Sequence, residues 1–240
     1  MQPIHIRAKK GDIAERVIIA GDPARVEQIG KELLANAKLV NTNRGFISYT
    51  GNYKGYRVSV VTHGIGVPSM LLVVEELIML GARAIVRVGS CGAMVNGMKI
   101  GDIIVPIGCA YYPGGAYYQY LREDVCFAAA PSYELLNNMV EAARSLDVKY
   151  YLGPVLTSDA FYAEDPEFAK KWGSRGVIAV EMECSGLFMI GYLRHVKTGA
   201  ILVVSDSLVE DLGFATAEEL KEYALRAATV ALEALIKTHV

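Results

Sequence analysis

Short β-rich apolar runs alternate with helical patterns along almost the whole chain, and this rhythm constrains the fold more than any other feature. Val17–Ala20 is β-rich and ends in Gly21-Asp22-Pro23, with a short helical pattern to about Gly30. Phe46–Tyr53 and Tyr56–His63 meet near Lys54-Gly55, which reads as a hairpin. Gly66-Val67-Pro68-Ser69 opens a helix from Met70 to Leu80, closed by Gly81. Ala84–Val88 is a buried strand running into a turn at Gly89-Ser90-Cys91-Gly92, and Asp102–Ala110 is another strand. Ser132–Leu146 reads as a helix with a capping signal at Ser132. Tyr150–Thr157 is a strand, Asp165–Trp172 a short helix, and Val177–Glu181 a strand followed by a helix to about Leu193. Ala200–Ser205 is a fully apolar strand, and Ala217–Lys237 a long amphipathic helix.

This βαβ rhythm predicts an α/β fold with a central mixed β-sheet flanked by helices. No repeat, low-complexity tract or linker divides the chain, so residues 1–240 read as a single domain. Ligands are expected at the strand ends, where loops are free of packing duty.

Composition narrows the function classes. Lys and Arg number 24 against 26 Asp and Glu, a formal net charge of −2 without a basic stripe, which argues against nucleic acid as a partner. At 52% hydrophobic the chain is too apolar to be disordered. No apolar run reaches about 18 residues, so no membrane span is expected. Met1-Gln2-Pro3-Ile4-His5 lacks the apolar core of a signal peptide, and a cytoplasmic location is expected. Cys91, Cys109, Cys126 and Cys184 form no C-x-x-C pair, and His5, His63, His195 and His239 are scattered, so no metal site is expected. Cys126 follows a charged run and is expected to be exposed; an intersubunit disulfide there would need an oxidising or thermophilic cytosol. Only three Gln residues occur, a weak sign of heat adaptation.

The strand ends carry the chemistry. Gly21 lets the backbone approach an anion and Arg25 adds a fixed positive fork; a tight turn with a solvated arginine is the alternative. Arg87 stands among aliphatic neighbours in Ala84–Val88, and a charge in a buried strand needs a partner or a ligand. With Gly21, Arg25 and Ser90 it would hold one phosphate-sized anion; an ion pair to Glu75 or Glu76 is the competing account. Glu181 and Glu183 flank Met182 and would share a face. They suit ribose hydroxyls, or serve as acids at a helix N-terminus. Asp206 ends an apolar strand, as either a helix cap or a catalytic acid. Phe161-Tyr162 would stack on a planar base, or belong to the core.

Seven segments, in order, resemble the nucleoside phosphorylase family of hexameric purine nucleoside, uridine and methylthioadenosine phosphorylases. They are GDPARV (Gly21–Val26), NRGF (Asn43–Phe46), THGIGVPS (Thr62–Ser69), RVGSCGA (Arg87–Ala93), SDAFY (Ser158–Tyr162), AVEMEC (Ala179–Cys184) and VVSDS (Val203–Ser207). The resemblance is strongest to archaeal purine nucleoside and methylthioadenosine phosphorylases. It implies phosphorolysis of inosine, guanosine, adenosine or methylthioadenosine to a free base and a pentose 1-phosphate, with phosphate as co-substrate and no cofactor. Gly21, Arg25, Arg87 and Ser90 would bind phosphate, with Arg44 from a neighbouring subunit. His5 from the neighbour, Met182 and Glu183 would hold the ribose. Cys91, Gly92, Phe161, Val180, Glu181 and Ser205 would line the base pocket, and Asp206 would face N7 as the acid. The implied assembly is a homohexamer built as a trimer of dimers.

The same positions sort the family's branches. Uridine phosphorylases carry a Gln and an Arg after the Phe-Tyr, whereas here Ala163-Glu164-Asp165 follow. Hydrolytic nucleosidases lack the phosphate arginines, and Arg25, Arg44 and Arg87 are all present. A nucleoside-binding protein without turnover is a second class of reading. One departure stands out. Bacterial purine enzymes place an arginine downstream of the acid, but here Leu208–Glu219 is acidic and the first basic residue is Lys221. Residues 208–214, with Gly213 among otherwise unpatterned residues, suit a mobile gate; an ordinary loop before the last helix is the alternative.

Overall fold

In this computed structural model residues 2–163 and 165–240 are described; Met1 of the N-terminal run and Glu164 of the Ala163–Asp165 segment lie outside them. β1 (Arg16–Ala20) leads into α1 (Pro23–Leu33), where the Asp22 side chain accepts from the Ala24 N–H at 2.8 Å and Pro23 presets the first turn. β2 (Ala35–Asn41) is an edge strand with mostly exposed residues and no apolar alternation, so the periodicity does not reveal it. A 3-10 turn at Asn43–Gly45 follows. β3 (Ser48–Tyr53) and β4 (Tyr56–Thr62) form the expected hairpin, with Lys54 at φ 48° and Gly55 at φ 86° supplying the two left-handed positions that a tight hairpin needs.

α2 (Val67–Met79) begins three residues earlier than its pattern suggested, directly after Gly66. β5 (Ala84–Ala93) corrects the sequence reading: Gly89-Ser90-Cys91-Gly92 is not a turn but continues the strand, paired with a parallel neighbour. β6 (Ile103–Tyr111), α3 (Gly115–Leu121) and α4 (Tyr133–Ser145) come next. Ser132 does not cap α4 with its hydroxyl, which instead accepts from the Thr198 N–H at 3.0 Å. The chain ends with β7 (Tyr150–Thr157), α5 (Phe168–Gly173), β8 (Ala179–Glu181), α6 (Cys184–Arg194), β9 (Lys197–Ser207) and α7 (Lys221–Lys237). α7 starts later than expected because Thr216 and Glu219 bond reciprocally and hold the preceding residues in a separate turn.

Among the described residues the strands make one nine-stranded mixed sheet in the order β2-β3-β4-β1-β5-β8-β7-β6-β9. β9 also pairs with β5, so five strands close on themselves. β1, β4, β5 and β9 run parallel, which brings their carboxyl ends to one side. One apolar layer packs α2 and α6 on the sheet, and a second packs α1, α4 and α7. No helix among the described residues is long and apolar enough to cross a membrane.

Candidate active site

The carboxyl ends of β1, β4 and β5 meet the start of α6, and the charged groups gather there. Arg87 is buried, and its guanidinium lies across Gly89, where any side chain would collide with it. Its Nη2 donates to Glu183 and lies 3.7 Å from Glu181. This replaces the expected partners: Glu75 pairs with Arg194 at 2.7 Å, and Glu76 with His5 at 2.8 Å. Burial opposes the charge on Arg87, but Glu183, Cys184 and Glu181 outweigh it and push its pKa up. Its Nε and Nη1 are buried without a partner. Arg25 lies close by, with Nη1 3.4 Å from the Val88 carbonyl; burial and the charge of Arg87 both lower its pKa. Two cations crowded against unpaired donors make a site for an acceptor-rich anion.

The two glutamates have different tasks. Glu183 accepts from the Gly66 N–H at 2.7 Å, and although burial opposes its charge, Arg87 and that N–H hold its pKa down. Glu181 is sealed: it accepts from the Glu183 N–H at 2.7 Å, the Cys184 N–H at 2.8 Å and the Thr157 hydroxyl. Burial pushes its pKa up. These contacts place Glu181 at the start of α6, as the N-terminal acid reading expects.

Asp206 sits at a second cluster. The β5–β9 register shifts between Cys91 and Gly92, so Cys91 faces Val204 while Gly92 faces Asp206, with Ser205 as the extra residue. A bulge of this kind re-aims a side chain at a strand end. Gly92 also pairs with Val180 on its other side. A Cβ at Gly92 would lie 2.9 Å from Asp206 Oδ2 and 2.5 Å from Leu208 Cδ1, so only hydrogen leaves the carboxylate in place. Burial pushes the Asp206 pKa up, and a hydrogen bond from Ser205 partly opposes it. Ser205 Oγ stands 2.7 Å from Asp206 Oδ1 and 3.2 Å from the Cys91 carbonyl. With one hydrogen it donates to the carboxylate when that is ionised. When Asp206 carries the proton on Oδ2, that O–H is available to a base, and Ser205 donates to Oδ1 or to the Cys91 carbonyl.

Phe161 and Phe214 are exposed, with ring centroids 6.4 Å apart at 74°, and Phe214 bridges to Asp206. Phe161 is therefore not core. Ser90 Oγ bonds to no described residue. Gly21 serves a close approach, since a Cβ there would stand 2.9 Å from the Gly64 carbonyl oxygen. Arg44 is exposed at φ 56°, and His5 is tied to Glu76; neither bonds to Arg87, Glu183 or Asp206. Cys126 is exposed, as expected. Cys109, Glu181 and Cys184 have ligand atoms within 4.8 Å of one another, a grouping the sequence spacing hides. Burial raises both thiol pKa values and Glu181 already accepts three hydrogen bonds, so the donor set does not suit a cation. Two groups near Glu183 were assigned no role from sequence: Asp159, whose pKa is raised by burial and by that carboxylate, and His63.

The Phosphorylase superfamily profile matches residues 15–238. A DeoD-type purine nucleoside phosphorylase of Caldanaerobacter subterraneus subsp. tengcongensis is 40% identical over 232 residues, covering 96% of this chain and 98% of the relative. Another from Thermoanaerobacter is 37% identical over 231 residues, covering 96% and 98%. The crystal structure of a uridine phosphorylase from Vibrio fischeri superposes with a TM-score of 0.88 at 31% identity, covering 99% of this chain and 98% of that one.

Proposed function

The chain belongs to the Phosphorylase superfamily, and from that premise we propose that it cleaves the N-glycosidic bond of purine nucleosides with inorganic phosphate. The observation that carries this reading is Arg87: buried, charged, held by Glu183, and left with two unpaired nitrogens beside Arg25. Phosphate supplies the missing acceptors. No cofactor enters this reaction; phosphate is the co-substrate.

A phosphate oxygen attacks C1′ of the ribose as the C1′–N9 bond breaks, and the electron pair of that bond passes to the base. Arg25 and Arg87 fix the nucleophile under the sugar, which supplies proximity and orientation. The bound phosphate stabilises the oxocarbenium-like charge that develops at C1′. Glu183 accepts from the 2′ and 3′ hydroxyls while Met182 packs on the sugar. Asp206 passes its proton to N7, so the base leaves neutral, and Ser205 then donates to the new carboxylate. This relay supplies assistance to Asp206 without a downstream arginine.

The base would sit by Cys91, Gly92, Val180 and Phe161, with Phe214 above. Purine rather than pyrimidine follows from the protonatable Asp206 and from the purine-named relatives. His5 and Arg44 would serve the ribose and phosphate of an adjacent subunit in a homohexamer. Their lack of contact with this chain's own site supports that assignment.

Base release from inosine, adenosine and methylthioadenosine, followed by chromatography with and without phosphate, tests the proposal. Phosphate-dependent release with a pentose 1-phosphate product is expected. Phosphate-independent release would make the protein a hydrolase.

A further inference from the structure

His63 ends β4, where its N–H donates to the Ala20 carbonyl at 2.9 Å and its carbonyl accepts from Ser69 Oγ at 2.6 Å. Its ring is fully buried, yet neither Nδ1 nor Nε2 has a partner. Two buried unpaired nitrogens on one ring are costly, and native structures rarely carry them without a ligand. Among the described residues the other such side-chain atoms are Nε and Nη1 of Arg87. The ring lies beside the same site: its Cε1 stands 3.6 Å from where a Cβ on Gly21 would be. The charges acting on it are Glu183, Arg87 and Arg25.

We propose that His63 is a phosphate ligand, its neutral ring donating an N–H to the co-substrate that Arg25 and Arg87 hold. This rests on the phosphorolysis reading and adds a residue to it. One anion with several acceptor oxygens satisfies the orphaned donors of both side chains. The neutral form suits the place. A third cation packed against Arg25 and Arg87 would be repelled, and burial, with those two charges, pushes the His63 pKa down to about 3 against the pull of Glu183 and of the Gly64 backbone. A neutral imidazole still carries one N–H donor, so it adds a hydrogen bond without adding charge. Gly21 leaves room for the contact, because a side chain there would meet both the Gly64 carbonyl and the ring.

The test uses the full-length protein with inorganic phosphate as the probe. His63→Gln and His63→Asn should raise the KM for phosphate by roughly 10- to 100-fold, the loss expected for a hydrogen bond to a charged acceptor. The KM for nucleoside at saturating phosphate should stay within about twofold, since the lost bond is not to the nucleoside. A second measurement needs no His63 variant and no turnover. In ¹⁵N-histidine-labelled wild-type protein, the ring signals shielded from a soluble paramagnetic agent and unaffected by His5→Ala belong to His63, and phosphate should shift them saturably. An unchanged phosphate KM in the variants, an equal rise in both KM values, or ring signals indifferent to phosphate overturns the assignment. Wild-type protein that releases base without phosphate overturns the phosphorolysis reading instead, and the ring titration still decides whether His63 meets the anion.

Discussion

Arg87 donates to Glu183 through Nη2 while two of its other nitrogens remain unpaired, so one guanidinium holds a protein carboxylate and keeps donors for an oxyanion. In the proposed reaction it would couple the phosphate and ribose subsites through a single side chain. The pair is also structural, since both residues are buried and each is the other's main compensating charge.

Replacing Glu183 by Gln separates these tasks. The 2′ and 3′ hydroxyls lose a charged acceptor, and kcat/KM for nucleoside should fall by roughly 10²–10⁴-fold, at about 1.5–3 kcal/mol for each of two bonds. Phosphate should bind as tightly or more tightly by calorimetry, because a competing negative charge has left Arg87. Breaking a buried pair should also cost about 3–5 kcal/mol of stability, read from denaturant unfolding. Weaker phosphate binding in this variant would contradict the shared-guanidinium account.

Asp206 and Ser205 make a prediction about pH. The acid must carry its proton to serve N7, so activity should fall as pH rises through its folded pKa, which burial has raised. Ser205→Ala removes the donor that favours the carboxylate, so the falling limb of the kcat/KM profile should move to higher pH. Asp206→Asn should slow purine cleavage by roughly 10²–10⁴-fold. A carboxyl whose folded pKa is raised supports the fold in full below its unfolded value of about 4 and loses that contribution as pH rises through the folded value. The Asn variant should therefore melt higher than wild type at neutral pH. A limb that moves to lower pH in the Ser205 variant would refute the relay.

The chemistry of single residues is legible in the sequence, and their pairing is not. Arg87 stands out because a charge amid aliphatic strand residues has few explanations, but its partner lies 96 residues away and only the closure of the sheet brings Glu183 to it. Glu75 and Glu76 are nearer along the chain and are both taken, by Arg194 and His5. Asp206 is visible as the end of an apolar run. The bulge that aims it is invisible, because register belongs to two strands at once. β2 escapes because an exposed edge strand has no periodic signal. His63 is present in THGIGVPS without a marked role, since only burial shows that its ring has no partner.

Glu76 predicts a second pH effect of opposite sign. It accepts from the N–H groups of Ile4, His5 and Ile6 and from the His5 ring, fastening the N-terminal segment to α2. Burial alone would raise its pKa, but these donors hold it below the ordinary value. Its contribution is then present above the unfolded pKa of about 4.3 and lost as pH falls through the folded one. Glu76→Gln should cost about 1–3 kcal/mol near neutral pH. The difference in melting temperature from wild type should close on acidification below about pH 4. A gap that widens on acidification would show that the carboxylate is not what secures the segment.

Residues 208–214 are fastened at both ends, and part-way along them Glu210 accepts from the Gly97 N–H at 2.9 Å. The Leu208 N–H donates to the Ala93 carbonyl at 2.9 Å, and the Ala215 N–H to the Ser205 carbonyl at 2.8 Å. Between them Gly213 takes φ 67°, and Phe214 is exposed with its ring set edge-on to Phe161. In the proposed reaction these two exposed aromatic rings beside a protonatable carboxyl would clamp a planar base. Closing it would bury both rings and slow water's access to the oxocarbenium-like centre. Amide exchange across 209–214 should slow when phosphate and nucleoside are both present, and the anchored ends at 208 and 215 should change little. Phe214→Ala should raise the KM for nucleoside by roughly 2- to 10-fold, the worth of one aromatic contact, with phosphate KM unchanged. Exchange that ignores both substrates, together with an unaltered nucleoside KM, would reduce the segment to a surface connection before α7.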